Sequence, residues 1–181
     1  MKPICCGDRR DAEFLLAAGS DGLTIDDVNP VWLKTPAAPI VGGMMEKIDI
    51  DVDHILACFR FLQARVERVI VEGTGGWMVP IRRNYFVSDL AAAMKLPVLA
   101  VVYNRLGCLN HAVLTVQSIL GQGLRCVGLV LNNAQETGDI AALTNANILR
   151  DILEVPVLGG LGENLTELPS DWRLMLESTI G

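Results

Sequence analysis

Short runs of apolar, β-branched residues recur along the chain and predict β-strands. Four of them begin about 29 residues apart, which is the usual length of one strand–helix repeat. Each is a continuous apolar stretch and not an alternation, so we expect both faces to be covered, as in a parallel sheet. A fifth run begins almost at residue 1. The predicted strands are 3–6, 69–72, 98–103, 127–132 and 155–159.

Helical patterns fill the intervals between these strands, and two of them have candidate N-caps, Ser88 and Asn110. The predicted helices are 53–66, 89–95, 110–122, 139–153 and 170–176. No linker or low-complexity tract divides the chain. The alternation of strands and helices predicts one α/β domain over residues 1–181, with a mostly parallel sheet flanked by helices.

Residues 20–50 carry neither pattern and are predicted to be irregular. Three prolines fall between residues 30 and 39. A loop this long inside a compact domain is often the lip of a functional site, and a plain surface excursion is equally compatible with the sequence.

Composition narrows the class of protein. The 181 residues are 51% hydrophobic and 20% charged, which excludes intrinsic disorder and provides a large core and a subunit interface. No apolar run is long enough to span a membrane, and the first residues lack a signal-peptide pattern. The net charge is −6 without a basic cluster, which argues against nucleic-acid or anionic-membrane partners. Five cysteines without C-x-x-C spacing and two histidines predict neither a disulfide framework nor a zinc site, and a reducing cytoplasm is expected.

The glycine-rich segment 71–80 follows a predicted strand that ends at Glu72. Ligands of open α/β sheets bind beyond the carboxyl ends of strands, where a carboxylate can hold Mg²⁺ and glycines let the backbone approach phosphates. An ordinary glycine turn with a solvated glutamate is the competing interpretation.

Two further strand ends carry candidate chemistry. The segment 106–111 opens a helix, and residues 107–110 there can form an anion site or an ordinary cap. Asn132 and Asn133 follow the next strand and can read a purine or form a turn. Lys2 and Asp11 flank the first strand, where a terminal lysine is usually only solvated.

Taken together, seven segments resemble dethiobiotin synthetases, in the same order and at similar intervals from Lys2 to about Leu161. The segments are K-P-I-C-C-G (2–7), R-D-A-E (10–13), V-N-P-V-W-L-K-T-P-A-A-P (28–39), V-E-G-T-G-G-W-M-V-P (71–80), L-P-V-L-A-V-V (96–102), L-G-C-L-N-H-A-V-L-T (106–115) and G-L-V-L-N-N (128–133). The resemblance implies a P-loop NTPase-like fold.

The resemblance also implies a role for matching positions. Lys2 is the catalytic lysine that acts on the substrate carbamate and phosphate, and Cys6 stands where a substrate-contacting serine or threonine is frequent. The positions implied at the nucleotide are Asp11 and Glu72 (also the Mg²⁺ ligands), Gly73, Thr74, Gly75, Asn132, Asn133, and Gly162 and Glu163, around which this sequence departs from the family's proline-containing loop. The positions implied at the substrate carboxylate are Gly107, Cys108, Leu109 and Asn110, which the neighbouring subunit of a homodimer supplies.

The activity that the resemblance implies is ATP-dependent ring closure in biotin synthesis. Its substrates are 7,8-diaminononanoate, CO₂ and Mg·ATP, and its products are the cyclic urea dethiobiotin, ADP and phosphate.

One departure from the family affects these expectations. The sequence contains no G-x-x-x-x-G-K-[ST] segment, and family members carry such a strand–loop–helix unit, roughly 35 residues long, ahead of the Lys-Pro pair. We expect the chain to be the remainder of a synthetase whose start was misassigned, and to be poorly stable and nearly inactive alone. A non-catalytic homologue that binds a ligand or partner is the alternative, and another P-loop amidoligase or a ParA-like ATPase is less consistent with segment 106–115.

Overall fold

The computed structural model describes residues 1–133, 140–162, 169–170 and 172. Within this part, the chain divides into two compact units, residues 1–94 and 95–181. No helix in the described ranges is long and apolar enough to cross a bilayer. The prediction of one domain over 1–181 stays a prediction, and each unit is described by itself.

The first unit pairs two short parallel strands and surrounds them with helices. β1 runs beside β2 with Ile4 opposite Val31 and Cys6 opposite Leu33, and β3 and β4 form a separate antiparallel hairpin. Its elements are β1 (Ile4–Cys6), α1 (Arg10–Ala17), α2 (Ile25–Val28), β2 (Val31–Leu33), α3 (Pro39–Glu46), α4 (Val52–Gln63), β3 (Pro80–Arg82), β4 (Tyr85–Phe86) and α5 (Val87–Met94). The largest fully buried apolar side chains are Ile4, Leu33, Ile55 and Ile81.

The second unit is a three-stranded parallel sheet with helical crossovers. β6 lies between β5 and β7, and its first six residues are buried, with Leu129 and Leu131 at the centre of the core. The elements are β5 (Val98–Tyr103), α6 (Cys108–Gly121), β6 (Cys126–Asn132), α7 (Ile140–Ile152) and β7 (Val157–Leu161). These parallel strands flanked by helices confirm the α/β class predicted from the sequence.

Three strand predictions need correction. Residues 69–72 are not a strand, because their backbone hydrogen bonds to another segment in the described structure are two, both to Met1, which lies outside β1: Met1 N donates to Ile70 O and Glu72 N donates to Met1 O. The last strand begins two residues later than predicted. In β5 the side chains alternate between buried and exposed, with Val101 62% exposed, so this strand is not covered on both faces.

The segment 20–50 is ordered and not irregular as predicted. Thr24 and Asp27 form a reciprocal capping box at the start of α2, β2 follows, and Pro39 occupies the first turn of α3. Proline is tolerated there because a first-turn residue needs no amide hydrogen bond.

Both predicted N-caps are wrong. Ser88 is buried inside α5, which begins one residue earlier, and Asn110 is the third residue of α6. The N-cap of α6 is Gly107, whose φ of 91° favours glycine. The helix predicted over 139–153 is confirmed as Ile140–Ile152, and the one predicted over 170–176 falls largely outside the described residues.

Candidate active site

Lys2 lies two residues before β1, and its side chain is only 7% exposed. Its backbone is bound at both polar groups. The Lys2 amide donates to the Val28 carbonyl at 2.8 Å, and the Lys2 carbonyl accepts from Asn29 Nδ2 at 2.7 Å. The turn that leads into β2 therefore fixes the backbone from which this lysine extends.

The Lys2 ammonium contacts two carboxylates from distant parts of the sequence. Its Nζ lies 2.6 Å from Glu72 Oε1 and 3.0 Å from Asp11 Oδ2. Burial by itself would lower the pKa of Lys2, but the hydrogen bonds and charges of Glu72 and Asp11 outweigh it, and the pKa lies above its usual 10.5. Lys2 is thus a cation at neutral pH, and the structure brings three predicted site residues together.

Asp11 and Glu72 remain open to a further ligand. Their side chains are 61% and 51% exposed, and Lys2 bonds only one oxygen of each. Mg²⁺ in nucleotide sites binds through one or two carboxylates and the substrate phosphates. Nowhere in the described ranges do three acidic, histidine or cysteine side chains form a metal cluster. The pair therefore fits a Mg²⁺ ion that arrives with a nucleotide better than a site built from protein ligands alone.

The glycine-rich turn after Glu72 is fastened to the first strand. The amide of Glu72 donates to the Met1 carbonyl at 2.9 Å, and the Thr74 hydroxyl donates to the Ile4 carbonyl. Gly73 and Gly75 are exposed, and Gly75 has a φ of 66°. The turn is thus held against the N-terminal segment that carries Lys2, and its predicted role at the nucleotide stays a prediction.

Cys6 ends β1 and is half-buried. Burial raises the pKa of its thiol, so the side chain is neutral at physiological pH and a weak hydrogen-bonding group. Cys6 lies at the end of the first strand, as the sequence predicted, and its contact with the substrate stays a prediction.

The remaining predicted residues lie in the second unit. At the start of α6, Asn110 and Gly107 are exposed, whereas Cys108 is buried with its thiol 3.9 Å from Asn104 Oδ1. The amide of Cys108 already donates to the Arg105 carbonyl at 3.1 Å. An anion at this helix start would therefore meet Leu109 and Asn110 before Cys108.

Asn132 and Asn133 lie at the end of β6 as predicted. The Asn132 carbonyl accepts from the Asn104 amide at 2.9 Å, and Asn133 Oδ1 accepts from Asn104 Nδ2 at 2.8 Å. A Cβ on Gly160 would collide with Asn133 Nδ2, so the absence of a side chain at this position of β7 leaves space for the Asn133 side chain. Gly162 is exposed at the end of β7, and Glu163 lies outside the described residues.

Four buried or half-buried polar residues beside these sites were not predicted from the sequence. Asn104 and Asn145 are joined by a 2.8 Å hydrogen bond beneath Asn133, and Arg9 and Asn29 are joined by one of the same length behind Lys2. Asn104 directly follows the apolar run 98–103, which is the signal that identified Asn132, so the same rule could have found it.

Comparison with known proteins gives a consistent result. A family model described as an AAA domain matches residues 1–167. The chain is 44% identical over 161 residues to the ATP-dependent dethiobiotin synthetase BioD of Akkermansia muciniphila, which covers 89% of this chain and 76% of that protein. It is 40% identical over 167 residues to the protein of the same name from Aromatoleum aromaticum, covering 88% and 74% of the two chains. The corresponding protein of Endomicrobium trichonymphae is 33% identical over 162 residues, covering 87% and 75%.

Proposed function

Because this chain belongs to the ATP-dependent dethiobiotin synthetase family, we propose that the protein closes the ureido ring of dethiobiotin from 7,8-diaminononanoate, CO₂ and ATP. The observation that carries the proposal is the buried Lys2 ammonium between Asp11 and Glu72, beside an exposed glycine-rich turn. A fixed cation at this place suits a reaction in which negative charge moves between a carbamate and a phosphate.

The proposed reaction has three balanced steps. One amine of the substrate adds to CO₂ and loses a proton, giving a carbamate. A carbamate oxygen attacks the γ-phosphorus of ATP, forming a carbamic–phosphoric anhydride and releasing ADP. The second amine attacks the carbonyl carbon, loses a proton and expels phosphate, which closes the five-membered urea.

The protein's part in these steps is positioning and charge neutralisation. Lys2 would hold the carbamate and the transferring phosphoryl group through its ammonium. Asp11 and Glu72 would hold Mg²⁺, which supplies neutralisation of the ATP phosphates when bound. The turn 73–75 would face the nucleotide with backbone amides.

The second unit supplies the remaining proposed contacts. Asn132 and Asn133 would form hydrogen bonds with the adenine edge through their amide groups, with Gly162 directly after β7. Residues 107–110 would bind the substrate carboxylate in the site of a neighbouring subunit.

All five cysteines of the chain are free thiols, which supports a reducing compartment such as the cytoplasm.

The test is a product assay on the full-length protein encoded by the gene. It is incubated with 7,8-diaminononanoate, bicarbonate and Mg·ATP, and dethiobiotin is identified by mass spectrometry beside ADP release. We expect substrate-dependent formation of both products in equal amounts. ADP release without dethiobiotin, or neither product, contradicts the proposal.

A further inference from the structure

Arg9 and Asn29 form a hydrogen-bonded polar pair behind the Lys2 site. The Asn29 side chain is completely buried, and its Nδ2 donates to the carbonyls of Lys2 (2.7 Å) and Val31 (3.0 Å). Arg9 Nε donates to Asn29 Oδ1 at 2.8 Å, and Arg9 Nη2 donates to the Asn29 carbonyl at 2.7 Å and to Asp26 Oδ1 at 2.6 Å. The Arg9 guanidinium thus donates hydrogen bonds to both the side chain and the backbone of Asn29.

This pair joins the two backbone segments that carry opposite partners of the ion pair. Arg9 is the residue immediately before α1, and Asp11 lies in the first turn of that helix. Asn29 holds the carbonyl of Lys2. The Arg9–Asn29 pair therefore ties the start of the Asp11 helix to the backbone of Lys2.

The side chains of α1 itself bury limited apolar surface. Its N-cap makes no side-chain cap hydrogen bond, Ala12 is its one fully buried residue, Leu15 and Leu16 are half-buried, and Phe14 in its middle is 74% exposed. The Arg9 guanidinium also lies over the Trp32 ring, 5.4 Å from its centroid. Because limited burial contributes limited packing free energy, the contacts of Arg9 contribute to the position of α1 relative to β1.

We propose that Arg9 and Asn29 are positioning residues for the reaction, which set Asp11 against the Lys2 ammonium without touching substrate. The inference rests on the proposed function for its catalytic consequence and on the hydrogen-bond geometry for its structural part. Displacing a catalytic group by about 1 Å can cost about 100-fold in rate, so a device that fixes one contact at 3.0 Å has a measurable effect.

The chain offers a matched control in the adjacent residue. Arg10 is 82% exposed and contacts only Asp8, at 3.4 Å among the described residues. Arg9→Gln and Arg10→Gln remove the same charge from neighbouring positions. In the full-length enzyme we expect Arg9→Gln to lower kcat by about 10- to 100-fold with KM for ATP within about twofold, and Arg10→Gln to leave both unchanged.

A second readout separates positioning from general destabilisation. The ¹⁵Nζ resonance of Lys2, assigned by its loss in Lys2→Arg, reports how long the ammonium protons stay hydrogen-bonded. At one fixed pH and without nucleotide, we expect faster proton exchange at Lys2 in Arg9→Gln and unchanged exchange in Arg10→Gln. A merely structural role would lower Tm without altering the exchange at Lys2.

Two outcomes overturn the inference: Arg9→Gln with kcat within twofold of the parent, or Lys2 exchange equal to that of the parent. If Arg9→Gln does not fold, Asp26→Asn removes the charge of the 81% exposed carboxylate that binds the guanidinium and serves instead, with the same criteria and a smaller expected effect of about three- to fivefold. If the parent enzyme makes no dethiobiotin, the proposed function fails, and the exchange comparison still decides the positioning.

Discussion

At the scale of single residues, two carboxylates form ion pairs with the buried ammonium of Lys2. A buried lysine without counter-charges would lose its proton, and Glu72 and Asp11 prevent that by direct contact. Because both acids are more than half exposed, they also remain available to solvent and ligands. The same three side chains thus keep a cation charged and leave anionic oxygens open.

Replacing Lys2 tests the role of this cation. We expect Lys2→Met to reduce dethiobiotin formation by at least about 100-fold, because a fixed charge at the reacting oxygens is lost. The loss of Tm should be small, since the two acids left behind can be solvated. The exposed Lys34→Met is the control and should keep full activity. More than a tenth of the parent rate in Lys2→Met would contradict the proposed role.

Gly160 provides a test of the asparagine cluster at the end of β6. A methyl group at Gly160 collides with Asn133 Nδ2, whereas one at Gly162 meets nothing within 4 Å among the described atoms. We expect Gly160→Ala to cost about 1–3 kcal/mol of unfolding free energy in denaturant titration, and to weaken ATP binding. Gly162→Ala should leave the unfolding free energy unchanged. Equal behaviour of the two variants would show that Asn133 moves aside without cost.

At the scale of elements, the short helix α2 depends on a charged cap. Asp27 accepts from the Thr24 hydroxyl and amide at 2.7 Å, and these bonds lower the pKa of Asp27 below its ordinary 3.8. A lowered folded-state pKa gives stability that is present above pH 3.8 and is lost as pH falls through the folded-state value. We expect Asp27→Asn to flatten the acid side of the stability profile below about pH 4, measured by denaturant titration. Asp21→Asn, in the exposed turn before α2, should leave the profile unchanged.

The glycine-rich turn depends on one backbone conformation. Gly75 has a φ of 66°, and a Cβ there would lie 3.0 Å from Val79 Cγ2, whereas a Cβ on Gly76 meets no described atom within 4 Å. We expect Gly75→Ala to lower the unfolding free energy by about 1–2 kcal/mol and Gly76→Ala by less than about 0.5. Comparable losses in thermal and denaturant unfolding would refute this difference.

The hydrophobic pattern predicted correctly a strand that is buried by its neighbours. It was wrong for a segment whose backbone hydrogen bonds, and not its burial, determine whether it is a strand. β6 is buried at six consecutive positions, and its continuous apolar sequence predicted it correctly. Residues 69–72 begin with a similar apolar run, but a strand is defined by ladder hydrogen bonds, and theirs are confined to Met1 within the described structure. The prolines of segment 20–50 suggested an irregular backbone, although Pro39 begins a helix.

At the scale of the whole molecule, the proposed homodimer makes a quantitative prediction. We assume that each site combines Lys2 of one subunit with Asn110 of the other. In a dimer of one Lys2→Met subunit and one Asn110→Ala subunit, one site then carries both substitutions and the other site carries neither. Random mixing of the two inactive variants during refolding should then restore about a quarter of the parent activity, because half of the dimers carry one intact site. Each variant refolded alone is the control. No recovery in the mixture would place both residues in the same subunit's site.

The cluster of Lys2, Asp11 and Glu72 was predictable only through family resemblance. Nothing in residue spacing links Lys2 to Asp11 and Glu72, and the fold alone brings them within hydrogen-bonding distance. The sequence did not predict a role for Arg9 and Asn29, because a polar residue type does not show whether its side chain is buried or exposed. Their importance is visible only in the partners that they satisfy.

The contact between Lys2 and Glu72 also orders events during protein synthesis. The two residues are 70 positions apart, and the bond from Thr74 to Ile4 spans the same interval. At translation rates of roughly 5–20 residues per second, Lys2 is made several seconds before Glu72 exists. Until then Asp11 is the acidic partner available to the Lys2 ammonium, so burying this cation beside β1 costs more free energy than in the finished fold. The cluster of Lys2, Asp11 and Glu72 is therefore completed only when the glycine-rich turn has been synthesised.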